Sequence, residues 1–146
     1  MAIALIEPGT PASQGILRLL GLLPEEDAAL LELTETGVPL AQLALLTELG
    51  LTKTEIQVLV IPARTMSHRK AGTGRLNREE SDRFLRVLRC LLQARQTFGD
   101  PEKALRWLRK PKTGLGGRTP LTALETEMGA RLVEEWLVRI DQGMAA

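Results

Sequence analysis

Between Arg64 and Lys70, the side chains of Arg64, Thr65, Ser67, His68, Arg69 and Lys70 surround a single apolar residue, Met66. Carried on one helix, such a run offers guanidinium and hydroxyl groups to phosphates and base edges. A second stretch, GLGGRTPL over residues 114–121, sets Gly114, Gly116 and Gly117 beside Arg118 and ahead of Thr119 and Pro120. Those glycines can permit positive φ angles in a connector. Alternatively, they let the backbone approach a partner closely while Arg118 presents a planar cation to its acidic groups. The stretch lacks the G-x-x-x-x-G-K-[ST] spacing of a phosphate-cradling loop and no strand precedes it, which sets nucleotide binding aside.

The residue types that do catalysis are sparse. His68 lies in the basic run and Cys90 in an apolar one, with no spacing that pairs a nucleophile with its base. His/Cys clusters of metal-ligand spacing are absent, and the carboxylates fall on helix caps and exposed helix faces. The expectation is a chain that is not an enzyme, with no catalytic residue, no metal and no cofactor. A lone cysteine cannot form an intrachain disulfide, and MAIALIEPGTP has neither the basic region nor the apolar run of a signal peptide. A soluble cytoplasmic protein with no membrane partner is expected.

These groups need a scaffold. The 146 residues allow one domain or two small helical lobes. With no Tyr, two Phe and two Trp, the core must be built from Leu, Ile, Val and Ala. The net charge of +1 conceals a strong asymmetry: residues 61–118 carry ten more basic than acidic side chains, whereas residues 1–60 carry six more acidic than basic. A basic middle of this kind is either a solvated helical face or a footprint for phosphates or an acidic partner.

Helix punctuation supplies the rest. A segment from Pro24 to Thr36 begins with Glu25, Glu26 and Asp27, where acids favour the positive end of the helix dipole, and Gly37 stops it. Pro39 opens a helix with Leu40, Leu43, Ala44, Leu46 and Leu49 on its apolar face, ended by Gly50. Thr52 and Glu55 have capping-box spacing, and Ile56, Leu59 and Val60 supply the buried side of the helix that follows. Pro62 suits the first helical position of the next, with Met66 pointing inward. The loop AGTGR ends this helix, and residues 71–76 are the best lobe boundary. Asn77 caps the longest helix, with Glu80 three positions on and Phe84, Val87, Leu88, Leu91 and Leu92 in one stripe. Asp100–Pro101 and Thr119–Pro120 are further start signals. A last helix from about Gly129 places Leu132, Val133, Trp136, Leu137 and Ile140 at core spacing. No stretch alternates as a half-buried strand does, so the fold is expected to be all-α. The consecutive short helices over residues 39–70 have the pattern of a helix-turn-helix, although its turn LVIPAR contains no glycine.

The ordered blocks IPARTMSHRK, RLNREESDR, FGDPEKALRWL, GLGGRTPL and TEMGARLVEEWLVRIDQG resemble the antitoxin family that joins an Xre-type helix-turn-helix to an Xre/MbcA/ParS toxin-binding domain. The likeness covers residues 38–143. It departs at Lys112, where relatives often have asparagine, and in a tail after Gly143 without an aromatic residue. The resemblance implies an N-terminal helical region over residues 1–76, with an Xre-like helix-turn-helix at about 38–71, and a toxin-binding domain over residues 77–146. It implies a type II antitoxin that covers the active site of a RES-domain, NAD-degrading toxin. With that toxin it binds operator DNA to repress its own promoter, as a homodimer within a toxin–antitoxin hetero-oligomer. DNA contacts then fall to Arg64, Thr65, Ser67, His68, Arg69 and Lys70. Toxin contacts fall to Gly116, Gly117 and Arg118 in the loop and to Arg131, Glu135, Arg139, Asp141, Gln142 and Gly143 on the last helix. The alternative is a stand-alone helix-turn-helix transcriptional regulator.

Overall fold

The computed structural model describes residues 12–21 and 27–144; the expected first-turn acids Glu25 and Glu26 lie outside them. The described residues are helical, with no strand and one isolated bridge between Pro39 and Arg75. They fall into two compact units, Met1–Leu85 and Arg86–Ala146.

The first unit holds α1 (Ala12–Leu19), α2 (Asp27–Thr36), a 3-10 turn at Leu40–Leu43 that runs into α3 (Ala44–Glu48), then α4 (Lys53–Leu59), α5 (Ala63–Ala71) and the start of α6 (Arg78–Phe98). The helix expected as one piece after Pro39 is therefore two. A 3-10 turn advances 120° per residue where an α-helix advances 100°, so the apolar face rotates across the junction. Leu45 is buried and Ala44 exposed, the reverse of an uninterrupted period. Thr52 and Glu55 form the expected capping box, with Glu55 N–H donating to Thr52 Oγ1 at 3.1 Å and Thr52 N–H to Glu55 Oε1 at 2.8 Å. Val38, Leu46, Leu59, Val60, Ile61 and Phe84 are among the most deeply buried side chains of this unit. Each contributes roughly 1.5–3 kcal/mol relative to exposure.

The loop between α5 and α6 is stitched down. Leu40 N–H donates to Gly74 O at 3.0 Å, and Leu76 N–H to Val38 O at 2.8 Å. Arg75 reaches Gly37 O at 2.8 Å. The buried Ser81 hydroxyl accepts from Val38 N–H at 3.0 Å, so the backbone donor left without a helix partner is satisfied inside the unit.

The second unit contains the remainder of α6, α7 (Pro101–Leu108), a 3-10 turn at Thr113–Leu115, α8 (Pro120–Ala123) and α9 (Glu127–Asp141). Asp100 and Thr119 cap α7 and α8 with proline in the first turn of each, as their sequence signals require. The last helix begins earlier than expected, at Glu127 rather than Gly129. Thr126 is its cap, the hydroxyl accepting from Gly129 N–H at 3.0 Å. Arg86 and Arg89 hold α9 in place. Arg86 donates to Leu124 O at 3.2 Å and to Glu127 at 3.3 Å, and Arg89 pairs with Glu134. Cys90 is fully buried, and that burial, reinforced by the Glu134 carboxylate, pushes its thiol well above the ordinary range. It behaves as a small apolar side chain.

Candidate functional site

Helix α5 begins one residue later than Pro62 suggested. Pro62 is its cap, with ψ of 150° keeping it outside the helix while its carbonyl accepts Met66 N–H at 2.9 Å. None of the α5 side chains is buried, and Met66 is only half-buried, so the inward anchor is weaker than expected. Arg64, Ser67 and His68, at positions i, i+3 and i+4, form one exposed stripe, and Lys70 is exposed beside it. Thr65 is half-buried.

Arg69 differs from its neighbours. Its Nε donates to Glu80 Oε1 at 3.0 Å and a terminal nitrogen to Glu80 Oε2 at 3.4 Å. Glu80 is also the capping-box partner of Asn77, with both reciprocal bonds at 2.8 Å. Burial pushes the Glu80 carboxyl up, but the hydrogen bonds from Arg69 and Asn77 and the charges of Arg69 and Arg83 outweigh it. The group lies below the usual carboxylate range. Arg69 therefore anchors α5 to the start of α6, and Arg64, Ser67, His68 and Lys70 are the members of the run that face solvent.

In the second unit the glycine loop is closed on itself. Lys112 N–H donates to Arg118 O and Gly117 N–H to Lys112 O, both at 3.0 Å. Gly116 and Gly117 have φ of 65° and 82°, conformations that side chains disfavour, and both are exposed. Gly114 has a different role: a Cβ there would meet the Trp136 ring at 2.8 Å. Arg118 is exposed and donates to Leu115 O at 3.2 Å. Lys112, the departure from the family pattern, lies 5.1 Å from the centre of the Trp107 ring, and burial together with Lys110 lowers its pKa.

Along α9, Arg131, Glu135 and Arg139 are exposed at intervals of four and share one face. Arg139 also lies over the Trp136 ring at 5.8 Å. Asp141 accepts the Thr97 hydroxyl at 3.1 Å, Gln142 is the C-cap, and Gly143 has φ of 81°. Leu132, assigned to the core from its spacing, is exposed instead; Ala130, Val133 and Leu137 are the buried positions of the helix. Trp136 and Ile140 are half-buried.

Leu132 joins Met128 at a cleft of about 410 Å³, whose other walls include Gly114, Leu115, Arg118 and Ala123. The loop thus sits beside the first half of α9. Asp141 to Gly143 lie more than two turns further along, roughly 13 Å from Leu132 at 1.5 Å per residue. Spacing singles out neither as a contact residue, since it marks no role for Met128 and assigns Leu132 to the core, although both share the helical face of Arg131, Glu135 and Arg139.

Comparison with known proteins gives this arrangement a context. Residues 29–89 match the family described as the antitoxin Xre-like helix-turn-helix domain, and residues 93–143 match the antitoxin Xre/MbcA/ParS C-terminal toxin-binding domain. Antitoxin Xre of Pseudomonas putida is 37% identical over 107 residues, covering 73% of this chain and 67% of that protein. The chain belongs to the Xre antitoxin family. Antitoxin Xre of Yersinia enterocolitica is 40% identical over 85 residues, 58% of this chain and 57% of the relative. Antitoxin Xre of Photorhabdus laumondii is 36% identical over 92 residues, 62% of each. The alignments with the latter two thus span less than two thirds of those relatives' length. The Xre-like helix-turn-helix match includes α5, and the toxin-binding match includes the glycine loop and α9. Among the described residues, no helix is long and apolar enough to cross a membrane, and no group of three or more His, Cys, Asp or Glu could hold a metal ion.

Proposed function

We propose that the chain neutralises a RES-domain, NAD-degrading toxin by covering its active site, and that with the toxin it represses its own promoter through α5. The observation that carries the first part is the outward face of α9, which lies inside the matched toxin-binding region and is free of core duties. Arg131, Glu135 and Arg139 on that face, the loop residues Gly116, Gly117 and Arg118, and the end of the helix at Asp141, Gln142 and Gly143 make up the contact surface. Inhibition is stoichiometric and needs no catalytic group. The DNA contacts are Arg64, Thr65, Ser67, His68 and Lys70, with Arg69 orienting the helix that carries them. Operator binding requires a homodimer, since each helix-turn-helix reads one half-site of a palindrome. We assign DNA binding to residues 1–76 and toxin binding to residues 77–146, with the 71–76 loop as the boundary.

The test is co-expression with a RES-domain toxin. The full chain is expected to co-purify with it and to restore growth, and deletion of residues 141–146 to weaken protection. Full protection by the truncated chain would remove the end of α9 from the contact surface.

A further inference from the structure

In the second unit, the large apolar side chains left in solvent are Met128, Leu132, Val138 and Met144, all on α9 or just beyond it. Met128 is 63% exposed and Leu132 36%. Both flank the cleft against the glycine loop, with Leu115 and Ala123 on its other side. The walls are held by close approaches rather than by filler. A Cβ on Gly129 would meet Ala123 O at 1.9 Å, so α9 is seated directly on the turn after α8. Gly114 is pressed against Trp136 in the same way. A cavity with fixed walls is pre-organised, and a partner group entering it loses less free energy to ordering.

The rim carries one charge of each sign, Arg118 and Glu125. Neither is in an ion pair among the described residues; Arg118 bonds only to its own loop, and the Glu125 backbone carbonyl, not its carboxylate, accepts from Arg86. The two threonines that line the cleft use their hydroxyls within the fold, Thr122 with the Thr119 hydroxyl at 2.8 Å and Thr126 accepting from Gly129 N–H at 3.0 Å, so they are not set to orient a small molecule. Exposed Met and Arg around a preformed hollow instead match the residue types enriched at protein interfaces, with Leu132 adding apolar area. We propose that this cleft receives an apolar side chain of the toxin, on a segment that also turns an acidic side chain toward Arg118. The proposal rests on the toxin-neutralising reading above and adds an anchoring point two turns away from the helix end that covers the active site. Met128, unbranched and flexible, adjusts to the incoming group.

The test measures affinity of the full chain for a purified RES-domain toxin. Met128→Asp/Leu132→Asp is expected to weaken binding by at least about 30-fold, the scale of an interface hot spot, with the helical circular dichroism signal unchanged. Arg118→Glu, which removes no apolar surface, weakens it about tenfold, with the loss shrinking at high salt. Val58→Asp, a charge placed on the exposed apolar position of α4, leaves it within about threefold. Binding of the double variant within about threefold of wild type, or an equal loss from Val58→Asp, overturns the anchor while leaving the toxin-neutralising reading intact. Absence of binding by the wild-type chain overturns both.

Discussion

Arg69 and Glu80 stand eleven residues apart in the chain, and the guanidinium Nε of one lies 3.0 Å from the carboxylate of the other. The pair joins the last turn of α5 to the first turn of α6, and Glu80 at the same time closes the capping box with Asn77. One buried carboxylate thereby fixes the orientation of the basic helix.

Glu80→Gln is expected to destabilise the first unit by about 2–3 kcal/mol, below the ~3–5 kcal/mol of a fully buried pair because Arg69 retains partial exposure. Urea unfolding at neutral pH checks it. The folded-state pKa of Glu80 is depressed, so its contribution is present above the unfolded value of about 4.3 and is lost as pH falls through the lower folded value. Wild type should therefore lose more stability than Glu80→Gln on acidification below about pH 4.

The same geometry separates Arg69 from its neighbours in DNA binding. Arg64→Ala and Lys70→Ala should each lower the slope of log affinity against log salt by about one, because each neutralised phosphate releases counterions. Arg69→Ala should reduce stability and leave that slope close to wild type. Promoter-fragment shifts across a salt series distinguish the two, and a binding strength insensitive to salt would contradict the electrostatic role.

The features legible from sequence were those set by contacts of three or four residues. The Thr52–Glu55 and Asn77–Glu80 boxes and the Asp100–Pro101 and Thr119–Pro120 starts stand where their spacing puts them. Less legible was anything decided by a distant neighbour. The Arg69–Glu80 pair crosses a loop, and Arg86 and Arg89 reach partners on α9 and just before it, between 38 and 45 positions away. Leu132 fits an apolar period, but packing buries Ala130, Val133 and Leu137 and turns Leu132 to solvent. The early start of α9 did carry a local signal, Thr126 three residues before Gly129, which the apolar periodicity obscured.

Gly129 gives a prediction in which two effects oppose each other. Alanine gains about 1 kcal/mol of helix propensity over glycine in an exposed helix. Here its Cβ would meet Ala123 O at 1.9 Å, a backbone atom that cannot swing aside. The clash wins: Gly129→Ala should destabilise by about 1–3 kcal/mol, the usual cost of overpacking, and lower the melting temperature.

Cys90 should be inert in the native protein. Its thiol is fully buried and its pKa is pushed well up, so thiolate is scarce at pH 8. A thiol-specific chromogenic disulfide should react only after guanidinium unfolding. Rapid native-state reaction would show that the packing around Cys90 opens readily.

The central claim is that this chain silences a toxin by occupying it. The direct measurement is NAD breakdown by the purified RES-domain toxin, titrated with the full chain. Activity should fall linearly with added chain and vanish at a fixed stoichiometric ratio, with the two proteins eluting as one complex. Undiminished NAD breakdown in the presence of excess chain would contradict the account.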